Sequence, residues 1–503
     1  MAHWLDSAIF YEIYPQSFKD SNADGMGDLP GIIEKLGYVK ELGCNAIWLN
    51  PCFESPFGDA GYDISDFYSV APRYGTNEDL KRLFCEAHKK GIRVLLDLVA
   101  GHTSSEHPWF RESMKAKRNE YSDRYVWTDS IWVKPGMNCI LGISDRNGVC
   151  AVNFFSHQPA LNYGFYKPEK SWQQGMEDEG PRKTLEALKD IMRFWLDMGC
   201  DGFRVDMASS LIKNDEDSKG NMALWRKIRT FLDEKYPEAV LVSEWSVPDR
   251  AIPGGFHMDF CPELFRKEKP YFSSACEGDF SELAKKYTDY YEKTKDQGYI
   301  SIFSGNHDSK RLALTHDETA IKLVFAFILS MPGVPFIYYG DEIGMRFVEG
   351  LTSVEGGYGR TGSRSPMQWD STINAGFGVS APEKLYIPVD PDKNRPTVER
   401  NMADENSIYN EVKRLIKLRN SHPALSNKGD VKFIYAEKDA YPLAYTRELG
   451  GEKLLVIINP SAKEADFECD IVPTGEIYRY GGNAVCEYGK VKIAAQSAVI
   501  FRI

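Results

Sequence analysis

The stretch Gly202-Phe203-Arg204-Val205-Asp206 places two charged residues in an otherwise apolar run. Successive side chains of a β-strand point to opposite faces, so Arg204 and Asp206 share one side while the apolar side chains pack on the other. A helical pattern over Leu185 to Met198 precedes the stretch and ends at Gly199, a C-cap signal. We therefore predict a buried strand whose carboxyl end presents a carboxylate.

The same alternation of helix and strand recurs along the chain. Eight runs are predicted as strands: Ile9–Ile13, Ala46–Leu49, Arg93–Val99, Gly202–Asp206, Ala239–Ser243, His257–Phe260, Tyr299–Phe303 and Phe336–Tyr339. Eight such units predict an α/β fold, a (β/α)8 TIM barrel. An open doubly wound sheet would need a Gly-rich phosphate turn after an early strand, and the sequence has none there. No organic cofactor is expected.

Two segments break this alternation. Residues 103–170 are rich in Trp, Tyr, Asn, Ser and Gly and are too long for a plain loop, so we predict an inserted subdomain after strand three. From about Val431 the pattern changes to short β-runs without a long helix between them, which predicts a C-terminal antiparallel β-sandwich domain over residues 429–503. The catalytic barrel then comprises residues 1–102 and 171–428.

Composition narrows the possible partners. The 503 residues carry a formal net charge of −12, whereas nucleic acids and anionic membranes bind basic surfaces, so neither is expected as a partner. Aromatic residues make up 13% of the chain, which suits stacking on flat ligands such as sugar rings. The cysteines lack paired spacing and the N-terminus lacks the pattern of a secretory signal. We expect a cytoplasmic protein with reduced thiols.

Three acidic residues stand at the ends of predicted strands: Asp206, Glu244 and Asp308. The carboxyl ends of barrel strands meet at one face, where reactive groups of such barrels lie. Cleavage of a glycosidic bond needs one carboxyl to protonate the leaving oxygen and another to attack or stabilise the sugar carbon. A single strand-end Asp is more often a capping or ion-pair residue, but three of them at one face favour this chemistry.

At these residues the chain resembles glycoside hydrolase family 13, the α-amylase family. The family's motifs occur in order as Asp97-Leu98-Val99-Ala100-Gly101-His102, Gly202-Phe203-Arg204-Val205-Asp206, Ser243-Glu244-Trp245 and Asn306-His307-Asp308. The resemblance implies that Asp206 is the nucleophile, that Glu244 is the general acid and base, and that Asp308 holds the 2- and 3-hydroxyls of the sugar. Its substrate would be an oligosaccharide.

The resemblance also implies roles for neighbouring residues. Arg204 is expected to point at the nucleophile and to hold the pKa of Asp206 low. His102 and His307 are expected to donate hydrogen bonds to hydroxyls of the sugar that precedes the cleaved bond.

Gly61-Tyr62-Asp63-Ile64 resembles a pair in the family that closes the substrate pocket. Tyr62 would stack on the sugar and Asp63 would bind its far hydroxyls. An acid at this end blocks longer chains and makes the enzyme exo-acting, provided that Arg364 or Arg395 pairs with Asp63; the sequence leaves the choice of arginine open.

Three further stretches resemble the oligo-1,6-glucosidase and α-glucosidase branch: residues 9–18, 158–162 and 365–370. Ala160 stands where that branch has Asp, and the interval from Asp206 to Glu244 is similar to that of trehalose synthases and other transglycosylating relatives. Met207 matches neither the small residue of maltose-type enzymes nor the valine of 1,6-type enzymes.

The leading hypothesis is a retaining, exo-acting α-glucosidase that hydrolyses α-1,4 and/or α-1,6 bonds of short oligosaccharides. The alternatives are an α-glucan transglycosylase or trehalose-forming isomerase, and an endo-acting α-amylase or neopullulanase. A remote alternative is a non-catalytic scaffold related to the heavy chains of amino-acid transporters. Those heavy chains have typically lost catalytic residues, whereas this chain keeps all three acids.

The loop Asp20-Ser21-Asn22-Ala23-Asp24-Gly25-Met26-Gly27-Asp28 carries oxygen-bearing side chains at positions 1, 3, 5 and 9 and Gly at position 6, like the first part of an EF-hand loop. Gly31 stands where the bidentate Glu of that loop would be, so the spacing alone fits an Asp-rich turn equally well. The resemblance to the α-glucosidase branch implies a structural Ca²⁺ here. Its ligands would be Asp20, Asn22, Asp24, Asp28 and the carbonyl of Met26.

Overall fold

The strand that carries Arg204 and Asp206 is one of eight parallel strands that close into a barrel. A computed structural model describes residues 2–140, 142, 144–261, 271–272, 280–487 and 489–503. The barrel strands are β1 (Phe10–Ile13), β2 (Ala46–Leu49), β3 (Arg93–Val99), β4 (Gly202–Asp206), β5 (Val240–Ser243), β6 (Met258–Phe260), β7 (Tyr299–Phe303) and β8 (Val334–Tyr338). Each strand pairs with the next, and β8 pairs with β1. The predicted fold class is confirmed.

The strand bounds differ from the predictions by one or two residues at most. The largest difference is in β8, which begins at Val334 and so includes Pro335, opposite Ile302 of β7. Pro335 lacks a backbone N–H for the sheet ladder, which is why the sequence pattern favoured a turn there.

The helices lie between the strands and around them. Their bounds are α1 (Leu29–Leu42), α2 (Asn77–Lys89), α3 (Pro108–Ser113), α4 (Glu179–Met198), α5 (Lys219–Lys235), α6 (Pro248–Ala251), α7 (Phe280–Thr294), α8 (Glu318–Ser330), α9 (Val398–Ala403) and α10 (Ile408–Ser421). Gly43 and Gly199 end α1 and α4 with φ of 108° and 117°, a left-handed conformation that glycine adopts without a Cβ clash. These sharp stops set the chain directly into the next strand. No helix in the described part of the chain is long and apolar enough to cross a membrane.

The interior of the barrel is an aromatic and aliphatic core. Phe10 and Phe336 stack with centroids 4.4 Å apart, and Trp48 and Phe260 pack beside them. These side chains are at most 5% exposed. Above this core, Arg204 and Asp206 lie in the half of β4 nearer its carboxyl end.

Two segments bring residues over those carboxyl ends. The first is a hairpin of Phe53–Glu54 with Asp66–Val70, whose loop holds Asp59 and Tyr62. The second lies between β3 and α4, where Leu161 donates its backbone N–H to the carbonyl of Gly101 and the hydroxyl of Tyr163 donates to the carbonyl of Ala100. The second segment is thereby fixed to the end of β3; its exact boundaries stay a prediction.

The C-terminal part consists of antiparallel strands, as the sequence predicted. They are β9 (Asp430–Tyr435), β10 (Leu443–Leu449), β11 (Glu452–Asn459), β12 (Ala465–Glu468), β13 (Gly475–Tyr480), β14 (Ala484–Glu487), β15 (Lys490–Ile493) and β16 (Ser497–Arg502). One sheet has the order β9-β10-β11-β16-β13 and the other β12-β15-β14. Side chains of both sheets form one hydrophobic cluster, including Leu455, Val499, Phe467 and Val491.

Candidate active site

The three strand-end acids open into one cavity of about 150 Å³ at the carboxyl end of the barrel. Its lining residues are Asp59, Tyr62, His102, Phe154, Asp206, Met207, Glu244, Asp308 and Arg360. A larger cavity of about 240 Å³ lies in the segment between β3 and α4, but none of the three acids lines it. The structure therefore brings the three acids predicted for glycosidic-bond cleavage together at one cavity.

Arg204 lies beneath the cavity and contacts three carboxylates. Its Nη1 is 2.9 Å from Oδ1 of Asp97 and 3.2 Å from Oδ1 of Asp206, and its Nη2 is 2.9 Å from Oε2 of Glu244. Because the strand alternates, Arg204 and Asp206 point to the same side of β4, as expected. The nucleophile and acid/base candidates thus lie on neighbouring nitrogens of one guanidinium.

Burial and neighbouring charges together set the proton affinity of Asp206. Burial and the nearby Glu244 carboxylate raise the pKa of Asp206 well above its usual range, and Arg204 offsets only part of the rise. Burial raises the pKa of Asp97 as well. The expectation that Arg204 holds the pKa of Asp206 low is wrong, because burial and the Glu244 carboxylate outweigh the lowering effect of the guanidinium. Such a group favours keeping one proton among its members.

Glu244 is held through one of its two oxygens. Oε2 accepts a 2.9 Å hydrogen bond from the backbone N–H of Met207 as well as the contact from Arg204. Met207 has φ of 42°, a left-handed conformation uncommon for a side chain of its size. The side chain of Glu244 is 37% exposed, so its other oxygen can face a substrate. This geometry suits an acid that delivers a proton from the Oε1 side.

At the far end of the cavity, Asp308 is held by two arginines. Its Oδ1 accepts from Nη1 of Arg360 at 2.7 Å and from Nη2 of Arg364 at 2.8 Å. Burial would raise the pKa of Asp308, but His307, Arg364 and Arg360 outweigh it and lower that pKa well below its usual range. Asp308 is therefore a fixed negative charge.

The ion pair predicted to close the pocket, between Asp63 and either Arg364 or Arg395, does not form. Asp63 faces away from the cavity and is fully buried. Its carboxylate accepts from the hydroxyl of Ser55 and the backbone N–H groups of Gly58 and Asp59. Within the described part of the chain no arginine reaches it. A buried carboxylate needs donors, and here the loop's own amides supply them.

The predicted arginines bind elsewhere. Arg364 contacts Asp308, and Arg395 donates to the backbone carbonyl of Asp390 at 3.0 Å. Of the two acids in this loop, Asp59 is the one that lines the cavity, and its Oδ1 lies 3.8 Å from Nη2 of Arg360. Burial raises the pKa of Asp59 to about 6. Asp59 and Arg360 are the residues that the sequence reasoning missed, although each lies within four positions of a residue that it named.

Tyr62 lines the cavity, with His307 directly behind it. The ring planes of Tyr62 and His307 are 10° apart, and the Tyr62 hydroxyl is 2.7 Å from Nε2 of His307. On its other side, Nδ1 of His307 lies 2.9 Å from Oε1 of the buried Glu12. Burial lowers the pKa of His307 to about 3, so its ring is neutral. The structure connects His307 to Tyr62; its predicted contact with sugar stays a prediction.

His102 lies at the edge of the cavity. Its Nε2 is 3.1 Å from the carbonyl of Tyr62, and its Nδ1 is 3.2 Å from the side-chain amide of Asn153. Burial lowers the pKa of His102 to about 3 as well. A neutral ring with both nitrogens engaged can reach a sugar hydroxyl only by sharing the Tyr62 contact, and its predicted role also stays a prediction.

The Asp-rich loop after β1 folds on its own amides. Asp20 accepts from the backbone N–H groups of Asn22, Ala23 and Gly25. Asp28 accepts from Gly31 and so caps α1. Among the described residues no three His, Cys, Asp or Glu side chains are grouped so that they could hold a metal ion. The predicted calcium ligands, which also include Asn22 and the carbonyl of Met26, stay a prediction.

An eight-stranded barrel with these carboxylates, and with arginines and an aromatic ring around a pocket at its carboxyl end, defines an enzyme that acts on glycosidic bonds. The chain belongs to the alpha-amylase family, because the model of the alpha amylase catalytic domain matches residues 12–428.

Individual relatives differ in their activities. The chain is 33% identical over 517 residues to the trehalose synthase/amylase TreS of Mycolicibacterium smegmatis, covering 90% of this chain and 80% of the relative. It is 32% identical over 546 residues to an oligo-1,6-glucosidase of Parageobacillus thermoglucosidasius, covering 95% and 93%. A crystal structure of a variant of the trehalulose synthase MutB of Pseudomonas mesoacidophila with the substrate sucrose superposes with a TM-score of 0.83 at 27% identity, covering all of both chains.

Proposed function

We propose that the protein is a retaining, exo-acting α-glucosidase that removes single glucosyl units from short oligosaccharides with α-1,4 or α-1,6 bonds. The observation that carries the proposal is the closed far end of the cavity, where Arg360 bridges Asp308 and Asp59. A chain of sugars cannot continue past that bridge. The bond to be cleaved must then join the terminal sugar to the rest.

The size of the cavity supports a single sugar ring. A cavity of about 150 Å³ is comparable to engineered protein cavities that take one benzene ring. Phe154, whose side chain is 52% exposed, also lines the cavity and marks a place where the cavity meets solvent. The pocket thus suits one buried ring with an open connection on one side.

The carboxyls divide the reaction between them. Asp206 attacks the anomeric carbon while the glycosidic oxygen leaves with the proton from Glu244, giving a glycosyl ester and a free alcohol. Glu244 then takes a proton from a water molecule. The oxygen of that water attacks the anomeric carbon, breaks the ester and restores the Asp206 carboxylate. Two inversions at the same carbon give retention. The raised pKa of Asp206 before substrate enters keeps a proton available in the pair.

Transfer to a second sugar is the alternative that a specific finding favours. The trehalose synthase/amylase relative is 33% identical to this chain and the oligo-1,6-glucosidase 32%, and the trehalulose synthase superposes over the whole chain at 27% identity. In that case a sugar hydroxyl replaces water in the second step, with the same residues in the same roles. We further propose a cytoplasmic location, with which buried free thiols such as Cys44, Cys52, Cys150 and Cys200 are consistent.

Product analysis tests the proposal. The purified enzyme is incubated separately with maltose, isomaltose, sucrose, trehalose and maltoheptaose, and products and their anomeric form are followed by NMR from the first minutes. We expect α-glucose to be released one unit at a time from maltose or isomaltose. Trehalose, sucrose isomers or longer products would establish transfer instead, and mixed oligomers from maltoheptaose would contradict exo-action.

A further inference from the structure

We infer that Asp259 is a positioning residue that holds Glu244 in place to deliver its proton. The inference rests on the proposed role of Glu244 as the acid and base. Asp259 belongs to β6 and is fully buried, and it lies opposite Ser243 on the neighbouring strand β5. It does not line the cavity, so any effect on the reaction must act through Glu244.

Asp259 is the anchor of the loop that carries Glu244. Its Oδ1 accepts from the hydroxyl of Ser243 at 2.5 Å and from the backbone N–H groups of Trp245 and Ser246 at 3.2 Å each. Its Oδ2 accepts from the backbone N–H of Val247 at 2.8 Å. One carboxylate therefore grips the chain immediately before and immediately after Glu244.

The loop needs such an anchor because it departs from the strand direction at once. Ser246 has φ of 62°, the left-handed region that costs a side-chain-bearing residue energy. Three successive backbone N–H groups at residues 245–247 point inward, and without a partner each would be a buried unsatisfied donor. Burial raises the pKa of Asp259 to about 7 against the lowering effect of these four hydrogen bonds, and its ionised form accepts all four without offering a donor of its own.

The direction of Glu244 follows from this anchoring. Its side chain is fixed at Oε2 by Met207 and Arg204, and its backbone N–H donates to the carbonyl of Val205 at 3.0 Å. If residues 243 and 245–247 shift, the carboxyl must shift relative to those contacts. A displacement of about 1 Å at a reacting group can cost about 100-fold in rate.

The test compares substrates that differ in their need for an acid. Maltose has a poor leaving group that must be protonated, whereas α-glucosyl fluoride releases fluoride with little help. We expect Asp259→Asn to lower kcat/KM by about 100-fold on maltose and by less than about threefold on α-glucosyl fluoride. The amide of Asn places an N–H against one of the loop N–H groups, so the loop must move.

Ser243→Ala provides a second, milder variant in case Asp259→Asn fails to fold. It removes one of four donors and leaves the three backbone contacts, so we expect the same preference for the fluoride with a smaller loss on maltose. Asp249→Asn in α6 is the matched control, since Asp249 pairs with Lys293 on the outside of the barrel. Its kinetics should equal those of the unmodified enzyme on both substrates.

Glu244→Gln separates this inference from the proposed function. The comparison uses kcat/KM, which reports formation of the glycosyl ester, because Glu244 is also the proposed base of the second step. If Glu244→Gln lowers kcat/KM equally on both substrates, the acid role of Glu244 is wrong. Suppose instead that Glu244→Gln leaves kcat/KM on α-glucosyl fluoride unchanged. The positioning role of Asp259 is then wrong if Asp259→Asn and Ser243→Ala lower kcat/KM equally on both substrates, or on neither. Selective loss on maltose in all three variants supports it.

Discussion

The two ends of the active cavity use the same kinds of side chain in opposite proportions. At the end that holds the proposed nucleophile and acid, here called the reaction end, one guanidinium, that of Arg204, contacts the carboxylates of Asp97, Asp206 and Glu244. At the far end, Arg360 and Arg364 both bind Asp308. The pKa of Asp206 is raised, whereas the pKa of Asp308 is lowered. The side chain of Asp206 is 10% exposed and that of Asp308 is 38% exposed, so the two acids differ in burial as well as in the number of arginines that contact them.

This difference corresponds to two tasks. The reaction end must keep a proton and give it away, which requires carboxyls whose charge is incompletely compensated. In the proposed reaction, Asp308 at the far end holds hydroxyls of the sugar without changing its own charge, which requires a carboxylate with a low pKa.

Removing the nucleophile candidate should have the largest effect. Asp206→Asn is expected to lower kcat by about 10⁴-fold or more on maltose, because a neutral amide cannot form the glycosyl ester. Initial rates on maltose, with a melting curve to confirm the fold, measure this. Activity within about tenfold of the unmodified enzyme would show that Asp206 is not the nucleophile, and would contradict the division of the cavity into a reaction end and a far end.

The far end is tested by Arg360→Ala. Loss of a charged hydrogen bond to Asp308 should cost about 1.5–3 kcal/mol, or roughly 10- to 150-fold in kcat/KM. Removing the bridge to Asp59 should also let maltoheptaose yield products longer than glucose. Arg395→Ala is the matched control, since Arg395 binds backbone carbonyls away from the cavity. Unchanged kinetics and products for Arg360→Ala would contradict the closed pocket.

The charge balance at the reaction end is tested by Asp97→Asn. Asp97 raises the pKa of Asp206, so its neutralisation should make deprotonation there easier and shift the pH profile of kcat/KM towards lower pH. An interaction of about 1.4–2.8 kcal/mol corresponds to about one to two pH units. The exposed Asp190, replaced by Asn, is the control. A profile that stays in place or moves to higher pH would show that charge sharing does not set the proton affinity.

Removal of calcium should have the smallest effect on the two ends of the cavity. If Ca²⁺ binds the Asp20–Asp28 loop, chelation should lower the melting temperature. The free energy of unfolding should fall by up to about 2.7 kcal/mol for a metal present at about 100 times its Kd. Neither the pH profile nor the products should change, because this loop does not line the cavity. Asp24→Asn should abolish the response to chelator. Unchanged melting together with no retained calcium would leave the loop as an Asp-rich turn.

The sequence predicted the barrel well because its signals are local. Strand β4 follows a helix with a C-cap glycine, and the alternation in β4 places Arg204 beside Asp206, as the structure has them. The C-terminal antiparallel strands were predicted on the same grounds. Such features depend on neighbours a few positions away, which a single sequence displays.

The closure of the cavity could not be predicted in this way. Asp59 and Asp63 are both acids in one short loop, and only the turn of that loop decides that Asp63 binds the amides while Asp59 faces the cavity. Arg360 reaches Asp308 from more than fifty positions away in the chain. Contacts of this kind come from loops whose course is set by packing.

The sequence by itself determined the barrel, its strand-end acids and the family motifs, because periodicity and spacing are properties of the chain. Only the tertiary structure decided which arginine serves which carboxylate, and with it the raised pKa of Asp206 and the lowered pKa of Asp308. The reason is that electrostatic interactions depend on distance and burial in space. Neither quantity can be read from the order of residues.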